Sequence, residues 1–358
     1  MNRRKIKKAI KRLCHLPKGK YFFRYAGNKT KHFYYKLIKS TKVAYPSTVM
    51  LELSSHCNLH CTTCPREYDY GKQMYKGYMP VDNAKKIIDE LWPYLDSIGL
   101  TGMGETLLYK DIEEITDYIK NKNSGIIISL STNAMIPDFI EKIRPLIGKV
   151  DTVQISIDGL GDVYESIRLN ADFTTLDKNL RLLTQLPSTT ATVFMLNMVV
   201  TMENYMQMAD VVSYAEKVGI HHVNFTLFNL ASVTDIHVDY YDFYESPPFI
   251  ESLKRLNQKS LETKSVKVTN WDYSSKNEFR KCMFPWTHFP ICSNGDVPPC
   301  CAKPFSKELN FGNVFENNVM TVLNGKTFRN FRQLWYENNT PLFCNKCHFV
   351  DIKPINVL

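Results

Sequence analysis

The stretch TVMLELSSHCNLHCTTCPR, residues 48–66, joins a short apolar run to three cysteines in the spacing C-x3-C-x2-C. The run TVMLELS (48–54) is mostly apolar and predicts a buried strand that delivers a cysteine loop at its carboxyl end. Cys57, Cys61 and Cys64 lie within eight residues, so their thiols can converge on one point while the chain between them is too short to pack a core. This spacing predicts a metal centre.

Three thiolates form only part of a complete metal site. A [4Fe-4S] cluster takes four ligands, and structural zinc normally closes its tetrahedron with four protein ligands. A cluster held by three cysteines would keep one iron open to bind a small molecule. We therefore expect a catalytic cluster at this loop rather than an electron relay.

The whole chain has 358 residues, of which 44% are hydrophobic, so it is long enough to bury a large core. No apolar run reaches the roughly 18 residues of a membrane-spanning helix, and basic residues interrupt the first apolar positions, which argues against a signal peptide. We expect a cytosolic protein. In a reducing compartment its 10 cysteines indicate metal ligation or catalysis rather than disulfides.

Charge is concentrated in an N-terminal arm. Residues 1–44 hold 15 Lys or Arg and no Asp or Glu, so the remainder of the chain is slightly acidic although the net charge is +9. Ile6, Ala9, Ile10 and Leu13 fall at i, i+3, i+4 and i+7 among basic residues, which predicts an amphipathic helix able to lie on an anionic membrane. A solvated basic arm is the plain alternative, and nucleic-acid binding is less favoured.

Five further strand patterns follow residue 54, and they alternate with helical patterns. This alternation predicts parallel βαβ units, and if they curl into a full or partial barrel, the chemistry belongs at the carboxyl ends of the strands. The predicted strands, including the first, are TVMLELS, SIGLTGMGE, GIIISLSTN, VDTVQISIDG, TATVFMLNMVV and HHVNFTLFN.

Over residues of about 48–230 the sequence resembles the radical S-adenosylmethionine (radical SAM) superfamily, whose first-strand loop carries the same three-cysteine spacing. The resemblance implies an α/β fold, a partial (β/α)6 TIM-like barrel. It implies that SAM chelates the open iron of a [4Fe-4S] cluster through its amino and carboxylate groups. Reductive cleavage of SAM then gives a 5′-deoxyadenosyl radical that abstracts hydrogen from a substrate.

The resemblance also assigns SAM-binding positions at three later strand ends. Gly102, Gly104 and Glu105 occupy the family's Gly-Gly-Glu turn, where small residues allow the chain to approach the amino group of SAM; Met103 and Thr106 depart from its GGEP pattern. Thr63 replaces the aromatic residue that many members place against adenine. The remaining positions, expected to contact the ribose or carboxylate of SAM, are Ser131, Asn133, Ser156, Asp158 and Arg168.

Six of the ten cysteines lie in residues 276–358. Cys282 and Cys300, with Gly295 five residues before Cys300, and the C-x2-C pair Cys344 and Cys347 resemble the twitch form of the SPASM extension of radical SAM enzymes. The resemblance implies one auxiliary [4Fe-4S] cluster on these four cysteines; taken alone, their spacing suits zinc equally.

Three cysteines remain outside both sets. Cys14 lies beside the apolar stripe of the arm, and Cys292 is expected to be a buried strand cysteine. Cys301 directly follows a predicted cluster ligand, at a position where related sulfatase-maturing enzymes carry an aspartate base. It is either a catalytic thiol that donates or accepts a proton or hydrogen atom, or a packed core residue.

These observations divide the chain into a basic arm (1–45), a radical SAM partial barrel (46–230), an irregular connector that faces substrate (231–275) and a small SPASM/twitch-like cysteine-rich module (276–358). They predict an oxidoreductase that acts on a peptide or carbohydrate and takes electrons from a reductant such as flavodoxin or ferredoxin. The alternative is a zinc-stabilised binding protein whose basic arm contacts nucleic acid or an anionic membrane.

Overall fold

The computed structural model describes residues 16–187, 192–233, 240–270, 282–339, 341–344 and 347. The predicted helix of Ile6 to Leu13, together with Cys14, lies outside these ranges. None of the described helices is long and apolar enough to cross a bilayer.

An eight-stranded, fully parallel sheet forms the centre of the molecule, in the order β10-β1-β3-β4-β5-β7-β8-β9. Two short strands, β2 and β6, form a separate antiparallel pair. The strands are β1 Thr48–Leu51, β2 His60–Cys61, β3 Ser97–Leu100, β4 Ile127–Thr132, β5 Thr152–Ser156, β6 Arg168–Leu169, β7 Val193–Val200, β8 His222–Leu227, β9 Lys267–Thr269 and β10 Phe289–Ile291.

Helices connect most of these strands and cover the outer face of the sheet. Parallel strands need such crossovers, and the helices bury an apolar stripe against the strands. The helices are α1 Lys20–Leu37, α2 Asp69–Lys72, α3 Val81–Leu91, α4 Ile112–Lys122, α5 Phe139–Ile143, α6 Asp162–Ile167, α7 Phe173–Thr184, α8 Met208–Val218, α9 Tyr240–Phe243, α10 Pro247–Glu262, α11 Phe284–Thr287, α12 Val319–Leu323 and α13 Lys326–Tyr336.

The six predicted strands are confirmed as β1, β3, β4, β5, β7 and β8. Helix α3 illustrates the helical pattern, since Ala84, Ile87, Ile88 and Leu91 are buried at i, i+3, i+4 and i+7. Among the described strands the sheet does not close, because β9 and β10 form its two edges. The partial TIM-like barrel predicted from the sequence is therefore confirmed.

Two short strands form the edges of the sheet; the sequence predicted no strand in the connector, and near β10 it predicted only that Cys292 lies in a strand. The segment interpreted as an irregular connector contains helix α10 and strand β9, which pairs with β8. Strand β10, from the cysteine-rich C-terminal segment, pairs with β1 through Val49 and Phe289. Its Pro290 suits an edge strand, where a missing N–H breaks no central ladder.

Helix α1, within the N-terminal arm, packs at the amino ends of the strands. Tyr25 donates a hydrogen bond to Asp96 at 2.7 Å, and Lys29 forms an ion pair with the same carboxylate at 2.7 Å. Asn28 donates to the carbonyl of Tyr45 at 2.9 Å. Since Asp96 directly precedes β3 and Tyr45 closely precedes β1, α1 lies at the edge of the sheet opposite to the carboxyl ends.

Candidate active site

The cysteine loop leaves the carboxyl end of β1 and returns through β2. Cys61 is buried, and Cys57 and Cys64 are half-buried. The pKa of Cys61 is raised to about 11 and that of Cys64 to about 12, mainly by burial, and the neighbouring thiols contribute in the same direction. A buried thiol with a raised pKa releases its proton when its sulfur coordinates a metal, so the donor set fits an iron-sulfur cluster.

Strand β6 places Arg168 directly beside this loop. Cys61 and Arg168 are paired residues of the β2–β6 ribbon, and Arg168 Nη1 lies 3.8 Å from Cys61 Sγ. Its Nη2 lies 2.9 Å from Asp158 Oδ2, and both side chains are buried. Asp158 Oδ1 also accepts a hydrogen bond from Val199 N at 2.8 Å. The roles of Asp158 and Arg168 toward SAM stay predictions; in this structure the carboxylate holds the guanidinium against a cysteine.

We expect Arg168→Lys to lower 5′-deoxyadenosine formation about 10–100-fold, because an ammonium lacks the planar fork that spans Asp158 and Cys61. Iron content, the KM for SAM and kcat together check this expectation. The matched control is Arg181→Lys, which alters a partly exposed pair with Asp177 away from the cysteine loop and should leave all three unchanged. An Arg168→Lys enzyme with native iron content and native kinetics would contradict a positioning role.

Glu105 and Asn133 join neighbouring strand ends beneath the cysteine loop. Glu105 is buried, and its carboxylate accepts hydrogen bonds from Leu107 N at 3.0 Å and from Asn133 N at 2.7 Å. The Asn133 side chain donates to Asn58 Oδ1 at 2.9 Å and lies 3.8 Å from Cys57 Sγ. Glu105 therefore fixes the backbone of Asn133, and the Asn133 side chain in turn contacts Asn58 and Cys57 of the cysteine loop.

The turn Gly102–Glu105 is packed by the chain itself. A Cβ at Gly102 would overlap the Glu52 side chain, and one at Gly104 would overlap the backbone of Ser54. The sequence explained these glycines by a close approach to SAM. The structure gives a different physical reason, because the protein's own atoms already require them to be small.

Glu52 is a site residue that the sequence reasoning missed. Its buried carboxylate accepts from Met103 N at 2.7 Å and, on the other oxygen, from Ser293 N at 3.1 Å and Ser293 Oγ at 3.0 Å. It therefore joins β1, the glycine turn and the loop after β10. The available signal was an acidic residue inside the otherwise apolar run TVMLELS.

We expect Glu52→Gln to lower the free energy of unfolding by about 2 kcal/mol, because the amide NH2 would face a backbone N–H that loses its acceptor. Urea unfolding followed by circular dichroism measures the change. Glu114→Gln is the control, since Glu114 is exposed and bonded to Lys85 at the surface. Equal urea-unfolding midpoints for the two variants would disprove the stabilising role proposed for the hydrogen bonds of Glu52.

The inner face of the sheet is partly polar. Ser131 and Ser156, predicted to contact SAM, are half-buried near the carboxyl ends of β4 and β5. Gln154 shares their face, and Asn224 donates to Asn197 Oδ1 at 2.7 Å on β7 and β8. Fully buried parallel strands read as continuous apolar runs, so the alternation of polar and apolar residues was the signal for this lumen.

The four predicted auxiliary ligands lie around one small cavity. Cys282, Cys300, Cys344 and Cys347 line it together with Lys303, whose buried ammonium pairs with Glu308 at 2.6 Å. A fully ligated [4Fe-4S] cluster is held by four cysteine thiolates, and the four thiols around this cavity supply that set of ligands. Among the described residues, no three Cys, His, Asp or Glu side chains meet the geometry of a single bound metal ion.

The loop after β8 connects this cavity to the barrel. Asn229 Nδ2 lies 3.8 Å from Cys347 Sγ, and Ser232 donates to the carbonyl of Ala302 at 2.9 Å. Because Asn229 follows β8 and Cys57 follows β1, both cysteine sites lie at the carboxyl edge of the sheet.

Cys301 and Cys292 belong to the same C-terminal module but are not among the residues that line the cavity. Burial raises the pKa of Cys301 to about 12, with smaller contributions from Cys347 and Cys282. A neutral thiol can donate a proton or hydrogen atom, and that role for Cys301 stays a prediction. Cys292 directly follows β10, and its thiol lies 3.6 Å from the carbonyl oxygen of Pro304.

Comparison with known proteins identifies two families within the chain. The profile of the radical SAM superfamily matches residues 51–227, and that of an iron-sulfur cluster-binding domain, SPASM, matches residues 282–348. Each profile contains one of the two cysteine sets. This result favours iron-sulfur clusters over the zinc-stabilised binding protein.

Individual relatives are distant but cover much of the chain. The tungsten-containing aldehyde ferredoxin oxidoreductase cofactor-modifying protein of Pyrococcus furiosus is 24% identical over 79% of this chain and 82% of its own length. The antilisterial bacteriocin subtilosin biosynthesis protein AlbA of Bacillus subtilis is 22% identical over 90% of this chain and 68% of its own. Streptococcus suis SuiB, solved with its precursor peptide SuiA, superposes with a TM-score of 0.67 at 16% identity, over 92% of this chain and 75% of that one.

The fold, the cysteine loop at the end of β1 and the two matched profiles all indicate the same family. The chain belongs to the radical SAM superfamily and is a radical SAM enzyme with a SPASM domain, which binds [4Fe-4S] clusters and SAM.

Proposed function

We propose that this enzyme abstracts a hydrogen atom from a carbon of a peptide and, with the help of an auxiliary cluster, releases an oxidised product. The observation that carries the proposal is the placement of both cysteine sites at one edge of the sheet. One follows β1, and the other contacts the loop after β8 through Asn229. A substrate bound across the polar lumen between them lies within reach of both sites.

The residues have separate roles in this proposal. Cys57, Cys61 and Cys64 hold the catalytic cluster, while the auxiliary cluster is held by the cysteines at 282, 300, 344 and 347. When loaded, the first cluster supplies the electron that cleaves SAM and so initiates hydrogen abstraction. Asp158 and Arg168 hold Cys61 in a buried, water-poor position.

A peptide substrate is supported by what the relatives are named for. AlbA is a bacteriocin biosynthesis protein, and SuiB was solved with a precursor peptide. The polar side chains of the lumen, such as Gln154, Asn197 and Asn224, can pair with peptide N–H and C=O groups, which an apolar lumen would leave unsatisfied. We place the enzyme in the cytosol, with flavodoxin or ferredoxin as reductant.

Deuterium transfer tests the substrate class directly. The anaerobically reconstituted enzyme is given SAM, dithionite and either the peptide or the carbohydrate fraction of a fully deuterated cell extract. Mass spectrometry then follows deuterium in 5′-deoxyadenosine. Enrichment with the peptide fraction supports the proposal, whereas enrichment with the carbohydrate fraction alone overturns the peptide assignment and leaves the hydrogen abstraction intact.

A second arm tests the contribution of the auxiliary cavity. Cys344→Ala should retain 5′-deoxyadenosine formation but lose the oxidised peptide product. The control is Cys292→Ala, since Cys292 does not line the cavity. Native yields of oxidised product from Cys344→Ala would show that the cavity does not assist the oxidation.

A further inference from the structure

Helix α1 presents a broad apolar face to solvent. Phe23, Phe33 and Leu37 are 75%, 69% and 70% exposed, and Phe22 and Tyr34 are also exposed. At 3.6 residues per turn these five positions fall on one arc of about 120°, which holds no charged residue. Soluble proteins rarely leave such a continuous apolar patch uncovered, so it indicates a binding partner.

The orientation of this face is fixed by the other side of the helix. Tyr25, Asn28 and His32 point in the opposite direction and bind the body of the protein, His32 through the carbonyl of Tyr45 at 2.7 Å. These contacts fix the rotation of α1 about its axis, so the apolar face points away from the body of the protein.

Cations border the apolar face along both of its edges. Lys20, Arg24 and Lys31 lie along one edge, and Lys36 lies along the other, all of them exposed. No Asp or Glu occurs in residues 1–44. Long basic side chains beside buried aromatic rings are typical of helices that lie in the surface of an anionic bilayer, where they extend toward the phosphates.

A basic cavity adjoins the carboxyl end of α1. It has a volume of about 500 Å³ and is lined by Lys36, Lys39 and Lys42 of the arm and by Trp286 and Tyr336 of the C-terminal segment. No acidic residue is among the described residues that line it. Its size and charge suit the phosphate of a lipid headgroup, flanked by aromatic rings that favour the membrane interface.

We propose that α1 and this cavity dock the enzyme on an anionic phospholipid surface. A second copy of the chain is a less suitable partner for the apolar face, since pairing two such faces would bring their basic edges close together. The cysteine loop lies at the opposite edge of the sheet, so docking leaves the active site open to the aqueous phase. This proposal does not depend on the substrate of the enzyme.

Vesicle sedimentation of the full-length protein tests the proposal. The protein is mixed with vesicles of phosphatidylcholine alone or of phosphatidylcholine with phosphatidylglycerol. We expect binding to the anionic vesicles, and at least about tenfold weaker binding for the double variant Phe23→Glu with Phe33→Glu. The control is Leu261→Glu, because Leu261 is 87% exposed on α10 and lies outside the face.

A charge variant and the oligomeric state complete the experiment. Lys31→Glu with Lys36→Glu should weaken binding to anionic vesicles, while 5′-deoxyadenosine formation stays native in all variants. Equal binding of the Phe23/Phe33 variant and the native protein would overturn the proposal, as would equal binding to neutral and anionic vesicles. A native dimer that this variant converts to a monomer would assign the face to a second copy instead.

Discussion

Replacing Cys57, Cys61 and Cys64 together with Ala is expected to abolish 5′-deoxyadenosine formation and to remove about four iron atoms per chain. The reason is that all three thiols come from one short segment after β1, with Cys57 before β2, Cys61 within β2 and Cys64 shortly after it. Their half-buried or buried sulfurs are the ligands that this segment offers to a cluster. Product analysis after anaerobic reconstitution with SAM and dithionite, beside an iron assay, measures both losses.

The matched control for this triple variant is Cys292→Ala. Cys292 lies outside both predicted ligand sets, so its loss should leave iron content and product formation native. The auxiliary iron should also persist in the triple variant, which separates loss of one cluster from unfolding. Native 5′-deoxyadenosine formation by the triple variant would contradict the assignment of the catalytic cluster.

Arg332→Ala is expected to lower the free energy of unfolding by about 4 kcal/mol. Arg332 on α13 is fully buried and donates to the carbonyl oxygens of Pro285 at 2.7 Å, Leu323 at 2.8 Å and Thr41 at 3.0 Å. It also lies over the ring of Phe328. Its removal leaves buried acceptors unpaired and a cavity where the arm meets the C-terminal segment.

Urea unfolding measures this loss, and Arg329→Ala is the matched control. Arg329 lies on the same helix and near the same segment, but it is exposed, and its contact with Thr41 Oγ1 is long, 3.4 Å. Its replacement should change the free energy of unfolding by less than about 0.5 kcal/mol. Similar losses for the two variants would disprove the buried anchoring of the C-terminal segment by Arg332.

The strands of the barrel could be predicted because each one combines an apolar run with a helical pattern on either side. Strand β9 and the bounds of β10 could not, although a strand was expected at Cys292, since three residues are too few to show a period. Their pairing is determined by tertiary contacts, and Pro290 even argues against a strand until its edge position is known.

The part of the site whose functional residues lie close together in the sequence could be predicted. The spacing of Cys57, Cys61 and Cys64 indicates a cluster without any knowledge of the fold. The pair of Arg168 with Asp158, and the bonds from Glu52 to Met103, depend on which strand ends meet in space. Such contacts leave only weak traces, such as one acidic residue in an apolar strand.

The pairing of β1 with β10 constrains how the chain is made. Val49 and Phe289 are neighbours in the sheet, yet 240 residues separate them, so β1 remains an open edge on the ribosome until nearly the whole chain has been synthesised. An open strand edge invites pairing with other chains. A truncated protein that ends after β8 should therefore aggregate rather than fold as an isolated barrel, and the cysteine loop reaches its final support only after translation of β10.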